Sequence, residues 1–413
     1  MAANSSDNKT KKCPAASRCG GCRWIGKEYQ EQLQAKQARF RRLMEPYCRP
    51  EEMIGMEEPE HYRNKVHAAF GEDKKHNIIS GIYEEKSHRI VPVDSCLIED
   101  SRADRIIVSV RGLLQSFKIR PYNEDTGYGL LRHVLVRTGR ATGQIMVVLV
   151  LASPVMPSKN HFVEALLKLH PEITTIVINV NNRDTSMVLG EKEQVIYGRG
   201  YIEDELCGRI FRISPKSFYQ VNAVQAEKLY GKVLEYAELT GRETVVDAYC
   251  GTGTIGMAAA DRARRIIGVE LNPDAVRDAR SNAKRNDVRN IEFYRNDAGK
   301  FLTHMAEQGE RADVILMDPP RSGSSEEFLS AVGKLAPGKV VYVSCNPDTL
   351  VRDLKYLKKQ GYEVQKCVAV DMFPFTEEIE SVCLLSRRKT RCESKDRCGS
   401  GRLLPYQGRT EKE

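Results

Sequence analysis

The chain has 413 residues, 41% of them hydrophobic and 29% charged, enough length for two or three domains with buried cores. Its longest unbroken apolar run, residues 145–152, is far below the roughly 20 residues that span a bilayer, and residues 1–12 are polar throughout, so neither a membrane span nor a secretory signal is expected. The 12 cysteines are too thinly and unevenly spread for a small disulfide scaffold, which points to a reducing, cytoplasmic compartment.

The net charge of +8 sits at the two ends. Residues 1–50 carry 11 Lys/Arg against 4 Asp/Glu and residues 387–413 carry 9 against 4, while residues 51–386 are net −4. Solubilising tails account for this as well as a nucleic-acid partner does.

In chain order, residues 1–12 lack periodicity and are expected to be disordered. Cys13, Cys19 and Cys22 then arrive around Gly20 and Gly21. The segment 24–47 is rich in Gln, Glu, Ala, Lys, Arg and Leu, with no Gly or Pro from 27 to 45, and predicts one long polar helix. Its Lys36, Arg39, Arg41 and Arg42 suit an RNA-facing surface or a plain solvated one. From about 61 to 200 short apolar alternations predict strands at 65–70, 78–83, 131–138, 144–151 and 173–180, with one helix at 161–170. Gly-Arg-Ala-Thr-Gly between the third and fourth strands reads as a hairpin turn, and the whole as a mainly antiparallel α+β domain. After Gly208 strands alternate with helices. Asn222 caps a helix to about 239; strands are expected at 244–249, 265–269, 314–317, 340–343, 362–370 and 381–385, and helices at 273–286, 326–335 and 347–359. This is the pattern of a doubly wound sheet. The domains are therefore expected at 13–50, 51–207 and 208–386, with a disordered basic tail at 387–413.

Residues 245–256 read as a strand running through Asp247-Ala248-Tyr249-Cys250-Gly251-Thr252-Gly253 into an Ala-rich helix. Glycines there let a ligand approach the backbone closely. Glu270 closes the next strand about twenty residues on, where a carboxylate can accept from both ribose hydroxyls, and Asp297 ends a further strand-like segment. The loop lacks the Gly-Lys-Ser/Thr ending of a triphosphate site. It looks like the S-adenosylmethionine loop of class I methyltransferases.

Asp318-Pro319-Pro320-Arg321 and Ser344-Cys345-Asn346-Pro347 each follow an apolar strand, so both fall where an open α/β sheet forms its ligand crevice. Asp-Pro-Pro followed by an aromatic would suggest methylation of an exocyclic nitrogen; here Arg321 follows and a thiol sits nearby. Cys345 alone reads equally well as a small buried hydrophobe. Together with Ser214-Pro215-Lys216-Ser217-Phe218-Tyr219-Gln220-Val221-Asn222 and Asp371-Met372-Phe373-Pro374, these segments closely resemble, in order, the motifs of the RNA uracil-5-methyltransferase family, over nearly all of residues 13–386.

The resemblance implies an α/β fold: a class I, Rossmann-like methyltransferase domain, a mainly antiparallel α+β central RNA-binding domain and an N-terminal cysteine-cluster region. It makes Cys345 the nucleophile that adds to C6 of uracil and Glu380 the base that removes the C5 proton. Gln220, Tyr249, Glu270 and Asp318 become the S-adenosylmethionine contacts, Asp297 an adenine neighbour, and Phe218 a holder of the target base or a core aromatic. Relatives usually have His where this chain has Phe375, and often His at Glu378, so Glu377 and Glu378 crowd the base and read as solvent-exposed acids. Cys13, Cys19, Cys22 and Cys96 offer four thiolates for zinc or an iron–sulfur cluster; similarity to the family's cluster-bearing subgroup favours [4Fe–4S]. Cys48, Cys207, Cys250, Cys367 and Cys383 read as packing residues. The implied substrate is 23S rRNA, with the tRNA T-loop uridine as runner-up and a non-catalytic iron–sulfur RNA-binding protein as the reading from another class. A cytoplasmic monomer without a membrane partner is expected.

Overall fold

The computed structural model describes residues 13–84, 87–183 and 187–388. The segment 1–12 and residues 389–413, with Cys392 and Cys398, lie outside the described residues, so the expectations placed on them are not tested.

A single helical turn, α1 (Ala16–Cys19), ends at Gly20 in the left-handed region and leads to α2 (Tyr29–Met44). The expected long helix is thus shorter at both ends. Polar as it is, α2 buries Gln32, Lys36, Gln37, Phe40 and Met44, a stripe at helical spacing. Lys36 is fully buried against Asp371, Arg39 pairs with Asp348 at 2.8 Å and Arg41 pairs with Glu52. Burial removes Lys36 from any RNA-facing surface, whereas Arg39 and Arg41 make ion pairs at the surface.

The central sheet follows: β1 (Lys65–Glu72), β2 (Ile78–Tyr83), β3 (Ile90–Pro92), α3 (Ser101–Ser116), β4 (Leu131–Thr138), β5 (Ile145–Leu151), α4 (Lys159–Leu169), β6 (Ile173–Val180) and β7 (Lys192–Tyr197). Its order is β3-β2-β1-β4-β5-β6-β7, antiparallel except for β5 with β6. The β4–β5 turn is the predicted one: Gly143 takes a φ of 71° and the Gly139 N–H donates to the Gln144 carbonyl at 2.7 Å. Helix α3 was not expected. Its Ile106-Ile107-Val108 run imitates a strand, yet Ala103, Ile106, Ile107, Val110 and Leu114 form a helical stripe, and Asp100 caps the helix by accepting from Arg102 N–H at 2.9 Å. One sheet face packs on α3 and α4; the other carries Leu135, Met146, Val148 and Val150 into the core beneath the remainder of the chain.

The hairpin β8 (Ile202–Leu206) and β9 (Arg209–Ile213) leads to α5 (Ala223–Ala237), whose cap is Asn222 as expected. Then come β10 (Thr244–Ala248), α6 (Thr254–Ala259), β11 (Arg265–Glu270), α7 (Pro273–Arg285), β12 (Ile291–Arg295), α8 (Ala298–Glu307), β13 (Val314–Met317), α9 (Glu326–Leu335), β14 (Lys339–Ser344), α10 (Pro347–Lys359), β15 (Tyr362–Val370) and β16 (Glu380–Arg387). The second sheet runs β12-β11-β10-β13-β14-β16-β15, parallel up to β14, with β16 antiparallel to both its neighbours. Residues on β10 alternate faces: Val245 packs in the core with α5 to α7, while Val246 and Ala248 pack with α8 to α10 and with Phe40 and Met44 of α2. This is the class I methyltransferase architecture expected from the sequence.

Candidate active site

Within the second sheet, β10 has β11 on one side and β13 on the other, so the winding reverses there, the position at which an open α/β sheet forms its ligand crevice above the C-terminal strand ends. Strand β10 ends at Ala248, and Tyr249 just beyond it is held at a φ of 63°, a conformation that costs a non-glycine residue on the order of 1–3 kcal/mol. Its ring packs against Phe328 with centroids 5.1 Å apart. A Cβ placed on Gly251 meets nothing within 4 Å, so the backbone there borders open space. Gly251 N–H donates to Glu270 Oε2 at 3.1 Å and Asn272 N–H to Glu270 Oε1 at 2.8 Å, which fixes the carboxylate and leaves further lone pairs on both oxygens. Asp247 lies beneath the loop and accepts from Gly256 N–H at 2.8 Å; burial lifts its carboxyl to about 7. An open backbone beside a fixed ribose-type acceptor fits an S-adenosyl cofactor.

Other predicted contacts frame the same crevice. Gln220 is buried; its carbonyl accepts from Asn64 Nδ2 at 2.9 Å and its side chain bonds the Tyr230 hydroxyl, which stands 3.2 Å from Thr254 Oγ1. Tyr230 and Thr254 drew no notice in the sequence, because a buried Tyr on a helical stripe reads as core. Asp297 is exposed and caps α8, accepting from Lys300 N–H at 3.0 Å. Phe218 is 66% exposed, which removes the core alternative for its ring. The loop that presents it is pinned from below: Arg137 Nη2 donates to the Ser217 carbonyl at 2.5 Å and Ser217 Oγ to Asp278 Oδ2 at 2.8 Å.

Cys345 follows β14 and Glu380 opens β16. Because Ser344 pairs with Ser381 in the antiparallel register, the next positions outward, Cys345 and Glu380, face each other at the crevice edge. Asn346 caps α10 by accepting from Asp348 N–H at 3.1 Å and donates through Nδ2 to the Arg321 carbonyl at 3.2 Å, tying the two strand-end motifs together. Burial pushes the Cys345 thiol up to about 11; the Glu380 and Asp318 carboxylates add to the rise and the Arg321 guanidinium opposes it. Burial lifts the Asp318 carboxyl to about 7 and drives Glu380 well above the usual carboxylate range. Arg321 reaches both Glu378, as an ion pair, and the Cys345 thiol. Of the three neighbouring acids, Glu377 is exposed, Glu378 is half-buried on Arg321, and only Glu380 is buried. The role of Arg321 beside the thiol was not read from its place in Asp-Pro-Pro-Arg.

The N-terminal cysteines occupy another corner. Burial and the nearby Cys19 and Cys13 push Cys22 up to about 11, and burial with Glu99 nearby pushes Cys96 up to about 12. Cys22 and Cys96 both pack against the small cluster of Met56, Tyr62, Ile98 and Phe375. Cys22 and Cys96 thus share one apolar corner, with Cys19 and Cys13 near Cys22, and among the described residues no group of three or more His, Cys, Asp or Glu is gathered in metal-holding geometry. Cys250, Cys367 and Cys383 are buried and Cys48 and Cys207 partly so, as packing residues would be. No helix among the described residues is long and apolar enough to cross a membrane.

Residues 28–388 match the family model described as tRNA (uracil-5-)-methyltransferase. An RNA methyltransferase of Halalkalibacterium halodurans is 43% identical over 380 residues, covering 90% of this chain and 82% of that protein. One from Caldanaerobacter subterraneus is 41% identical over 379 residues, covering 91% and 84%. Among solved structures, the tRNA (uracil-54, C5)-methyltransferase of Pyrococcus abyssi in complex with S-adenosyl-L-homocysteine superposes with a TM-score of 0.74 at 28% identity, covering 88% of this chain and 85% of that one.

Proposed function

This chain belongs to the tRNA (uracil-5-)-methyltransferase family, and from that premise we propose that it methylates carbon 5 of one uridine in 23S rRNA, with Cys345 as nucleophile and Glu380 as base. The observation that carries the reading is the register that sets Cys345 opposite Glu380 beside Asp318 and Arg321. Carbon 5 of uracil is a weak nucleophile, but its double bond to C6 is conjugated with the C4 carbonyl. Addition of the Cys345 sulfur at C6 turns C5 into an enolate carbon. S-adenosylmethionine, when bound, supplies the methyl group that C5 takes. Glu380 then removes the C5 proton; its electron pair restores the C5=C6 bond as the C6–S bond breaks and the thiolate leaves. Gln220, Tyr249, Glu270 and Asp318 hold the cofactor, with Asp297 near the adenine. Phe218 stacks on a uracil taken out of its helix.

Cys13, Cys19, Cys22 and Cys96 would hold a [4Fe–4S] cluster with a structural or RNA-contacting role, since the reaction moves no electrons. Anaerobically purified protein is expected to carry about four irons per chain, and Cys22→Ala to lose them; an iron-free protein with one tightly bound zinc overturns the cluster.

The 23S rRNA assignment follows the cluster-bearing relatives. A second reading, the tRNA T-loop uridine, is favoured by the name of the Pyrococcus abyssi protein. Nucleoside mapping of ribosomal and transfer RNA from cells lacking the gene decides between them: one 5-methyluridine should vanish from 23S rRNA. Loss confined to tRNA selects the second reading, and full retention in both RNAs counts against the activity.

A further inference from the structure

The segment 371–379 delivers Glu380 to the crevice, and the N-terminal part of the chain holds much of it. Asp371 is fully buried, with Lys36 Nζ at 2.6 Å from Oδ1 and the Tyr29 hydroxyl donating to Oδ2 at 2.9 Å. Lys36 also donates to the Phe373 carbonyl at 3.1 Å, and Tyr62 to the Pro374 carbonyl at 3.0 Å. Phe375 is buried at a φ of 66°, a left-handed conformation unusual for a bulky side chain. Both its backbone groups are taken by the N-terminal segment: its N–H donates to Gln32 Oε1 at 2.9 Å, and its carbonyl accepts from Trp24 N–H at 3.1 Å. Gln32 itself is fully buried and anchored through Nε2 to the Lys27 carbonyl at 3.0 Å. Trp24, Tyr29, Gln32, Lys36 and Tyr62 stand more than 300 positions from Glu380 in sequence.

We propose that Lys36, Tyr29 and Gln32 form a clamp that sets the position of Glu380, acting through Asp371 and Phe375. They are positioning residues for abstraction of the C5 proton, an assignment that rests on the uracil-methylation reading. Addition of Cys345 and arrival of the methyl group do not use the base, whereas elimination does. Loosening the clamp therefore slows the last step selectively, and a methylated protein–RNA adduct, still joined through the C6–S bond with its C5 proton in place, accumulates. Displacement of a reacting group by about 1 Å is enough for roughly a 100-fold loss of rate.

The test uses the full-length protein, methyl-labelled S-adenosylmethionine and total RNA from cells lacking the gene. Three variants are compared with the parent: Gln32→Met, which keeps the volume but removes the acceptor for Phe375; the paired Lys36→Met/Asp371→Leu, which leaves no unpaired buried charge; and Glu380→Gln as the control. With circular dichroism and gel filtration unchanged, the clamp variants should lose kcat roughly 10- to 100-fold while KM for RNA stays within about twofold. A labelled adduct stable to denaturing electrophoresis should appear in them as in Glu380→Gln. Parental kcat without adduct, or lost kcat without adduct, overturns the clamp while a trapping Glu380→Gln leaves the uracil-methylation reading standing. Absence of adduct in Glu380→Gln itself sinks that reading, and the clamp with it. Should the paired variant fail to fold, Gln32→Met alone decides.

Discussion

At Cys345 opposing fields meet. Burial and two carboxylates keep the sulfur protonated, at about 11, while Arg321 pulls the other way. In the proposed mechanism only the thiolate attacks, and a thiol pushed up to about 11 keeps that form a small minority at pH 7. The rate of adduct formation should rise close to tenfold per unit between roughly pH 7 and 9, because the thiolate fraction does. Arg321→Met removes the cation and should lower that rate roughly tenfold at every pH without changing the slope; a flat profile in rapid-quench experiments would falsify a thiol-limited step. Cys345→Ser is expected to cut turnover to below roughly a thousandth, because a hydroxyl at ordinary pKa is a far weaker nucleophile than a thiolate. Calorimetric cofactor binding should survive that change, since Cys345 is not among the residues proposed to hold the cofactor; full turnover by the serine variant removes the nucleophile from the proposal.

The elements that carry the site were largely legible, because glycine punctuation and strand ends are local signals. The turn from β10 to α6 runs through left-handed backbone that glycine adopts at least cost, and Gly251 and Gly253 announce it at φ values of 54° and 81°. Helices α7 and α10, expected at 273–286 and 347–359, stand close to those bounds, each with an Asn cap and a Pro in its first turn. Helix α3 was missed because β-branched residues can serve a helical stripe once a sheet packs against it. The short strand β7 is mostly exposed and offers no apolar run to read. At Gly256 close packing is the requirement: an added Cβ would lie 2.8 Å from Asp247 Oδ2 and 3.0 Å from the Ile291 side chain. Gly256→Ala should therefore cost about 1–3 kcal/mol, and by displacing the loop over Asp247 should also weaken S-adenosylmethionine binding. Denaturant midpoints and calorimetry read the two effects, and an unchanged midpoint would show that α6 yields freely.

Over the whole molecule, what the sequence concealed is pairing at long range. Lys36 and Asp371 are 335 residues apart and each looks like an ordinary surface charge until both are found at zero exposure. The same pairing redistributes the electrostatics. Residues 1–50 carry a surplus of seven positive charges, but Lys36, Arg39 and Arg41 are held by Asp371, Asp348 and Glu52. Those three acids lie within residues 51–386, so setting the pairs aside leaves residues 1–50 at +4 and residues 51–386 at −1; attraction of a polyanion then rests on the other cations of residues 1–50 and on residues 389–413, which hold seven Lys/Arg against four Asp/Glu. Deleting 389–413 is expected to weaken RNA binding and to flatten its salt dependence by up to about 0.7 in the log–log slope for each phosphate that the tail neutralises. Turnover at saturating RNA should stay at the parental value, because no residue assigned to the chemistry or to its positioning lies beyond Glu380. Binding isotherms at several salt concentrations separate the outcomes. An unchanged affinity and slope would make the tail a solubilising segment and shift phosphate binding to the folded body, with exposed Arg42 and its neighbours as the next cations to replace.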